Sequence, residues 1–303
     1  MFSQNRGVEF MPNMATLLSR PQNIGRVFFV KLGGLNTNNG IDPGTPFLTI
    51  THALDQCVDG RNDYIFVLDY WQNDAVYPIV VDKSFVHIIG LDFGNGGPQW
   101  ASPVGDFAFF TIGAKGYFEI AGFNFGGGAT HGCIEGDPAL APAEGRGIIH
   151  HCRFGWDQAA QDGIRVLGTK DLCIMDIHDN LFGGLLTRDG IRLDGTSTRS
   201  LFHHNFFRDI PSIGIHCQMT GSDIGAITDN IFKCPDIANG EAITMMDGVG
   251  NALITGNMAG GQDNAMGFNP YRDRSATAGG AGTGFNAWGI NYAGIVAILP
   301  VIA

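Results

Sequence analysis

Apolar and polar positions along this chain alternate in short bursts, and one burst recurs. The pattern apolar-x-x-Asn-x-Phe stands at Ile177-His178-Asp179-Asn180-Leu181-Phe182, at Phe202-His203-His204-Asn205-Phe206-Phe207 and at Ile227-Thr228-Asp229-Asn230-Ile231-Phe232. A decayed copy follows at Ile254-Thr255-Gly256-Asn257-Met258-Ala259. Upstream, Ile149 to Phe154 carries Cys152 in place of Asn, while Ile120 to Phe125 and Ile88 to Phe93 keep only the two apolar anchors. The last anchor falls at 93, 125, 154, 182, 207, 232 and 259, at intervals of 32, 29, 28, 25, 25 and 27 residues. A second line runs in phase: Cys133-Ile134, Gly163-Ile164, Gly190-Ile191, Gly214-Ile215 and Ala242-Ile243 each follow a Phe anchor by about ten residues. Alternation within each burst predicts strands, and a fixed period of this length marks a stacked repeat. Each period predicts strand, turn, strand, longer loop, strand, for about seven coils.

The period dictates the physics. Parallel strands stack about 4.8 Å apart, so equivalent residues of successive coils lie above one another. Inward Ile and Phe then form continuous columns that no single coil can bury alone. At the Asn position an amide both donates and accepts, so stacked Asn180, Asn205 and Asn230 can bond along the axis and satisfy turn backbone. With Phe154, Phe182, Phe207 and Phe232 they form a structural ladder. The predicted architecture is all-β: a single-stranded right-handed parallel β-helix over 26–260, with irregular extensions at 1–25 and 261–303. The first extension is expected to cap or attach, with one or two helical turns near Met14 to Leu18. The second is Gly- and Ala-rich and ends in an apolar, nearly uncharged tail, expected to fold back over the last coil or to contact a partner subunit.

Composition sharpens this picture. Charged residues make up 16% and Gly supplies 45 of 303 positions, against roughly 25% charged and half that Gly in ordinary domains. Tight turns fit that composition; disorder, which requires low hydrophobicity and high charge, does not. A net charge of −11 without a Lys/Arg cluster argues against nucleic acid as partner. Cys57, Cys133, Cys152, Cys173, Cys217 and Cys234 show no zinc-like spacing and read as small buried residues. No apolar run is long enough for a membrane span, and the first twenty residues lack the apolar core of a secretory signal.

The opening segment, Val27-Phe28-Phe29-Val30, then Gly44-Thr45-Pro46-Phe47, then Ala53-Leu54, resembles the first coil of pectate-lyase-like right-handed β-helix proteins. With the repeats, the resemblance spans roughly 26 to 260. That superfamily includes polysaccharide lyases, polygalacturonase-type hydrolases, and tailspikes and related virion proteins of bacteriophages. It is specific for fold and weak for activity. It implies catalytic groups, where present, on the outer face of a strand column. The hydrolase signatures are missing: no Asp-Asp pair, no Gly-His-Gly, no Arg-Ile-Lys.

Two candidate constellations remain. Asp162-Gly163-Ile164-Arg165 and Asp189-Gly190-Ile191-Arg192 are one period apart, which stacks Asp162 on Asp189 and Arg165 on Arg192. Two carboxylates about 5–6 Å apart can hold Ca²⁺ or act as an acid pair. The alternative, and the preferred one, is that each Asp accepts hydrogen bonds from its following turn. Beside the Asn ladder, His151, Asp179, His204 and Asp229 form a second column, next to His150, His178 and His203. Alternating imidazole and carboxylate can respond to pH or bind a transition metal; a solvated turn is the simpler expectation.

Two function classes follow. One is a bacteriophage virion protein, a homotrimer that decorates or cements the capsid or forms a spike, made in the host cytoplasm and meeting other virion proteins such as the major capsid protein. The other is a polysaccharide lyase or glycoside hydrolase, extracellular or virion-borne, acting on an acidic or cell-surface glycan. Tyr70, Trp71, Tyr77 and Trp100 are its candidate sugar-stacking aromatics.

Overall fold

In the computed structural model, three parallel sheets of ten, nine and nine strands wrap around one continuous core. The structure describes residues 25–69, 74–91, 99–113, 117–136, 147–156, 158–166, 175–194, 199–218, 224–233, 241–246, 249–260, 270–274, 286–293, 296–298 and 301–302. A representative coil runs Gly147–His150 in sheet I, Arg153–Phe154 in sheet II and Asp162–Val166 in sheet III, before Met175–His178 re-enters sheet I. The chain is thus a right-handed parallel β-solenoid, with almost no helix among the described residues. The described helix, Ile50–Gln56, starts at Thr49, whose hydroxyl accepts from the His52 amide, and turns Ile50, Ala53 and Leu54 inward against the first coil.

The motif residues explain why the coils stack. Ile88, Ile120, Ile149, Ile177, Phe202, Ile227 and Ile254 occupy one register line of sheet I and are all buried. Phe154, Phe182, Phe207 and Phe232 stack face to face with ring centroids 4.7, 4.7 and 4.6 Å apart. Room for those rings comes from the second repeat line. A Cβ built on Gly163, Gly190 or Gly214 would stand 2.6, 2.6 and 2.5 Å from a ring carbon of Phe182, Phe207 and Phe232. Each Gly before the inward Ile is therefore a requirement of space.

Between sheets I and II the chain turns in two residues. The first is left-handed: His151, Asp179, His204 and Asp229 have φ of 53, 54, 55 and 56°, and Gly256 takes 72°. Short polar side chains and Gly tolerate this conformation best. The second residue points inward and forms the ladder. Asn205 Nδ2 donates to Ile177 O at 2.8 Å and to Asn230 Oδ1 at 3.0 Å, while its own Oδ1 accepts from Asn180 N and Nδ2, both at 3.1 Å. Cys152 donates its main-chain amide to Asn180 Oδ1 and its thiol to the carbonyls of His150 and Ile120, and so begins the column.

The coil does not stop at residue 260. Tyr271–Asp273, Ala287–Trp288 and Asn291–Ala293 add a parallel strand to each sheet. Asn291 extends the ladder, accepting from Asn257 N at 3.0 Å. Val296–Ile298 then turns back antiparallel on Asn291–Ala293, and Val301–Ile302 pairs with Tyr271–Asp273. The N-terminal extension lies outside the described residues, except that Gly25 donates to Asn62 O at the first coil. Cys57, Cys133, Cys152 and Cys217 are buried free thiols, while Cys173 and Cys234 lie outside the described residues. Among the described residues no helix is long and apolar enough to cross a membrane.

Replacing Asn205 by Ala strands the Ile177 carbonyl and the Asn180 main-chain amide inside the coil, while Asn230 Oδ1 keeps the Asn205 main-chain amide. At about 1–3 kcal/mol per unsatisfied buried group, the expected loss is at least ~2 kcal/mol. Gly190→Ala, which overfills the space beside Phe207, is expected to cost about 1–3 kcal/mol. Denaturant midpoints measure both, and an unchanged midpoint for Asn205→Ala contradicts the ladder's role.

Candidate functional site

The outer face of sheet I carries a groove of about 310 Å³ that crosses five successive coils. Its ends are marked by Phe85 and Tyr117 below and Leu201 above, with Glu119, Ile148 and Asp176 between. Phe85 and Tyr117 occupy equivalent left-handed positions just before their strands, with φ of 57 and 59°. Their rings lie 4.6 Å apart and 10° from parallel, and they are 40% and 42% exposed. Two exposed aromatics stacked face to face on adjacent coils form a rigid apolar edge beside a polar floor.

Glu119 organises that floor. Its Oε2 lies 2.5 Å from His87 Nδ1 and its Oε1 lies 2.8 Å from His150 Nε2. The far side of His87 reaches Asn62 Oδ1 at 2.7 Å, and its ring stacks on Tyr64 at 4.1 Å. Burial alone would raise the Glu119 pKa, but the hydrogen bonds and charges of His150 and His87 outweigh it and bring the value down to about 2. Glu119 is therefore a fixed anion whose two oxygens are both engaged.

Beside it His150, His178 and His203 stack with centroids 5.0 and 4.9 Å apart, tilted by only 10 and 6°. Three of the four candidate metal residues, His151, Asp179 and His204, sit next to this column and turn sideways toward it. His151 Nδ1 is 3.0 Å from His150 Nδ1, Asp179 Oδ2 is 3.0 Å from His178 Nδ1, and His204 Nδ1 is 2.8 Å from His203 Nδ1. These pairs run parallel up the axis and do not converge on one point. Among the described residues no group of three or more His, Cys, Asp and Glu side chains can hold a metal ion. The left-handed turn accounts for His151, Asp179, His204 and Asp229 as backbone positions. Asp179 is held below the usual carboxylate range: burial opposes this, and the neighbouring imidazoles prevail.

The Asp–Arg constellation lies on sheet III, where Arg165 and Arg192 are register partners. Asp162 and Asp189 are fully buried, and each carboxylate is hydrogen-bonded within the fold. Asp162 takes both Arg188 Nε, at 2.8 Å, and Arg188 Nη2, and accepts from Asp189 N at 3.1 Å. Asp189 accepts from Ile213 N at 3.0 Å, from Arg192 Nη1 at 2.9 Å and from His216 Nδ1 at 3.0 Å. The amides they cap belong to the next coil, not to their own following turn. Burial pushes Asp162 up against the pull of Arg188; for Asp189 burial is overcome by His216 and Arg192, which hold it low. Arg165 stands 3.5 Å from Asp194 and 3.9 Å from Glu135. Every candidate carboxylate here is committed to the fold.

Of the proposed sugar-stacking aromatics, Tyr77 is buried and packs against Phe109 at 5.5 Å. Tyr70 and Trp71 lie outside the described residues, as does the side chain of Trp100. The exposed pair that the structure does present, Phe85 and Tyr117, has a sequence signal: the two are separated by 32 residues, the coil interval at that point.

No protein-family model and no curated protein matches the chain. Among solved structures it is similar to the selenomethionine derivative of a GH136 lacto-N-biosidase from Eubacterium ramulus. The two are 10% identical, the match covers 94% of this chain and 70% of the other, and the TM-score is 0.42. A likeness at that level carries no argument about activity.

Arg188→Ala removes both guanidinium hydrogen bonds from the buried Asp162 carboxylate, leaving it the Asp189 amide and Arg165 at 3.9 Å, and the expected loss of stability is about 3–5 kcal/mol, read from denaturant midpoints. Glu119 gives a pH signature. Its folded-state value of about 2 lies below the ordinary 4.5, so its contribution is complete above about pH 4.5 and fades as pH falls toward 2. The stability gap between the native chain and Glu119→Gln is expected to close over that window; a gap independent of pH contradicts the ion-pair assignment.

Proposed function

We propose that this chain is a glycan-binding β-solenoid without hydrolytic activity, which works as a homotrimer displayed on a particle surface, as tailspike-like or capsid-decorating virion proteins do. The observation that carries the glycan reading is the exposed Phe85–Tyr117 pair at the lip of the sheet I groove. Sugar rings present flat C–H faces that lie against aromatic rings, and hydroxyls that bond to polar groups such as those lining the floor. Binding without cleavage is supported by the state of the carboxylates. A glycosidase acid must carry a proton at working pH and face the scissile oxygen. Glu119 is ionised and doubly engaged, while Asp162 and Asp189 are buried in arginine and histidine contacts.

The trimer is supported by a line of apolar side chains facing out from sheet II. Leu181, Phe206, Ile231, Met258 and Tyr292 are register partners, and the last three are 40, 48 and 40% exposed. A continuous apolar line on successive coils is unusual for a solitary soluble surface. The virion setting rests on the sequence resemblance alone.

A second reading, a lyase or hydrolase, draws on His216. Asp189 orients its Nδ1, and its Nε2 is buried without a hydrogen-bond partner. Enclosure of that nitrogen weighs against substrate contact.

The test joins a glycan array to light scattering. A trimer that binds a glycan without releasing shorter products is expected, and replacing both Phe85 and Tyr117 by Ala is expected to weaken binding at least tenfold, about 1.4 kcal/mol. A monomer that degrades polysaccharide overturns the reading.

A further inference from the structure

The groove's shape and charge define what kind of glycan it takes. Its lining residues come from five consecutive coils: Phe85, Tyr117, Ile148, Asp176 and Leu201 each belong to a different one. At about 4.8 Å per coil the groove extends roughly 19 Å along the solenoid axis. Ile148 and Leu201, 39 and 40% exposed, carry the apolar surface of Phe85 and Tyr117 upward past the middle of the groove. The aromatic lip and the exposed Ile148 and Leu201 side chains thus form one strip parallel to the axis.

The charged groups facing the strip are asymmetric. Glu119 and Asp176 line it as acids; His87 is the ionisable group of opposite kind that lines it. The remaining imidazoles next to these acids, His150 on Glu119 and His203 on Asp176, sit behind them in the neighbouring column. Among the described residues no Lys or Arg lines the groove, and the whole chain carries −11. A glycan bearing a carboxylate or sulfate on each residue would place its charges against Glu119 and Asp176, and the imidazole that lines the groove, His87, already has both ring nitrogens engaged by Glu119 and Asn62. An uncharged chain suffers no such repulsion, and its hydroxyls meet carboxylate acceptors.

We infer that the groove binds a linear, uncharged glycan lying along the solenoid axis, with at least four sugar residues engaged between Phe85 and Leu201. This rests on the glycan-binding reading above, and narrows it away from the acidic polysaccharides that many β-helix proteins meet. Phe85 and Tyr117 hold one end of the chain, Asp176 accepts hydroxyl hydrogen bonds in its upper half, and Leu201 bounds the far end.

Calorimetry tests this with the full chain and oligosaccharides of two to six units. The probes are uncharged gluco-, manno- and N-acetylglucosamine series, set beside oligogalacturonates of the same lengths. Affinity for at least one uncharged series should rise tenfold or more from two units to four and then level off. Oligogalacturonates should bind at least tenfold more weakly at equal length. Leu201→Arg, at an exposed position, should weaken the tetramer at least fivefold and leave the dimer unchanged; the far-ultraviolet circular dichroism and melting temperature of this variant check that it folds. Equal or tighter binding of oligogalacturonates overturns the inference while the glycan reading stands. Affinity that does not grow beyond two units, or a Leu201→Arg effect equal for all lengths, overturns the axial placement. Absence of binding by every probe, charged and uncharged, overturns the glycan reading and this inference together.

Discussion

Everything in this molecule depends on keeping coils in register at the spacing of a parallel sheet. Backbone hydrogen bonds supply the spacing, but they do not choose which residue lies above which. The internal Asn column does. Each amide binds the next amide along the axis and a carbonyl of the coil before it, so a slip by one residue would bury unpaired polar groups throughout the turn. The Phe column and the Gly gaps that admit it lock the same register sterically. Outward-facing residues inherit this order. Stacked His150, His178 and His203, the Phe85–Tyr117 pair and the apolar line on sheet II are all consequences of a register fixed from inside.

That inheritance explains why polar columns alone are poor guides to chemistry in a solenoid. Any outward residue repeats its neighbourhood every coil, so ladders of Asp, Arg or His arise wherever the inner motif repeats. What separates a structural column from a binding surface is whether its polar atoms are already used. On sheet III they are: Asp162 and Asp189 cap amides of the next coil and hold Arg188, Arg192 and His216. On sheet I the aromatic rings and the apolar strip remain open to solvent, and the Glu119 charge is fixed beside them.

Much of the fold is legible in the sequence because the inner positions are the repeated ones. Asn180, Asn205, Asn230 and their Phe partners stand out at constant spacing. The last coil is harder to see: Trp288-Gly289-Ile290-Asn291 repeats the motif, but after 34 residues of Gly- and Ala-rich sequence in which the period is lost. The site is less legible. Phe85 and Tyr117 lie one residue before their strands, outside the motif, and their left-handed backbone cannot be foreseen from an aromatic residue. Spacing sets Asp162 and Asp189 one period apart but says nothing of Arg188, which comes from the adjoining loop and bonds to the Asp162 carboxylate.

The central claim is that function resides on the open face of sheet I while the polar network of sheet III serves the fold. Covalent footprinting by mass spectrometry, with and without a saturating bound oligosaccharide, tests that division directly. The account predicts that labelling falls at Phe85, Tyr117, Ile148 and Leu201 and is unchanged around Arg165, Arg192 and His216. Protection concentrated on sheet III, with the sheet I residues labelled as before, would contradict it.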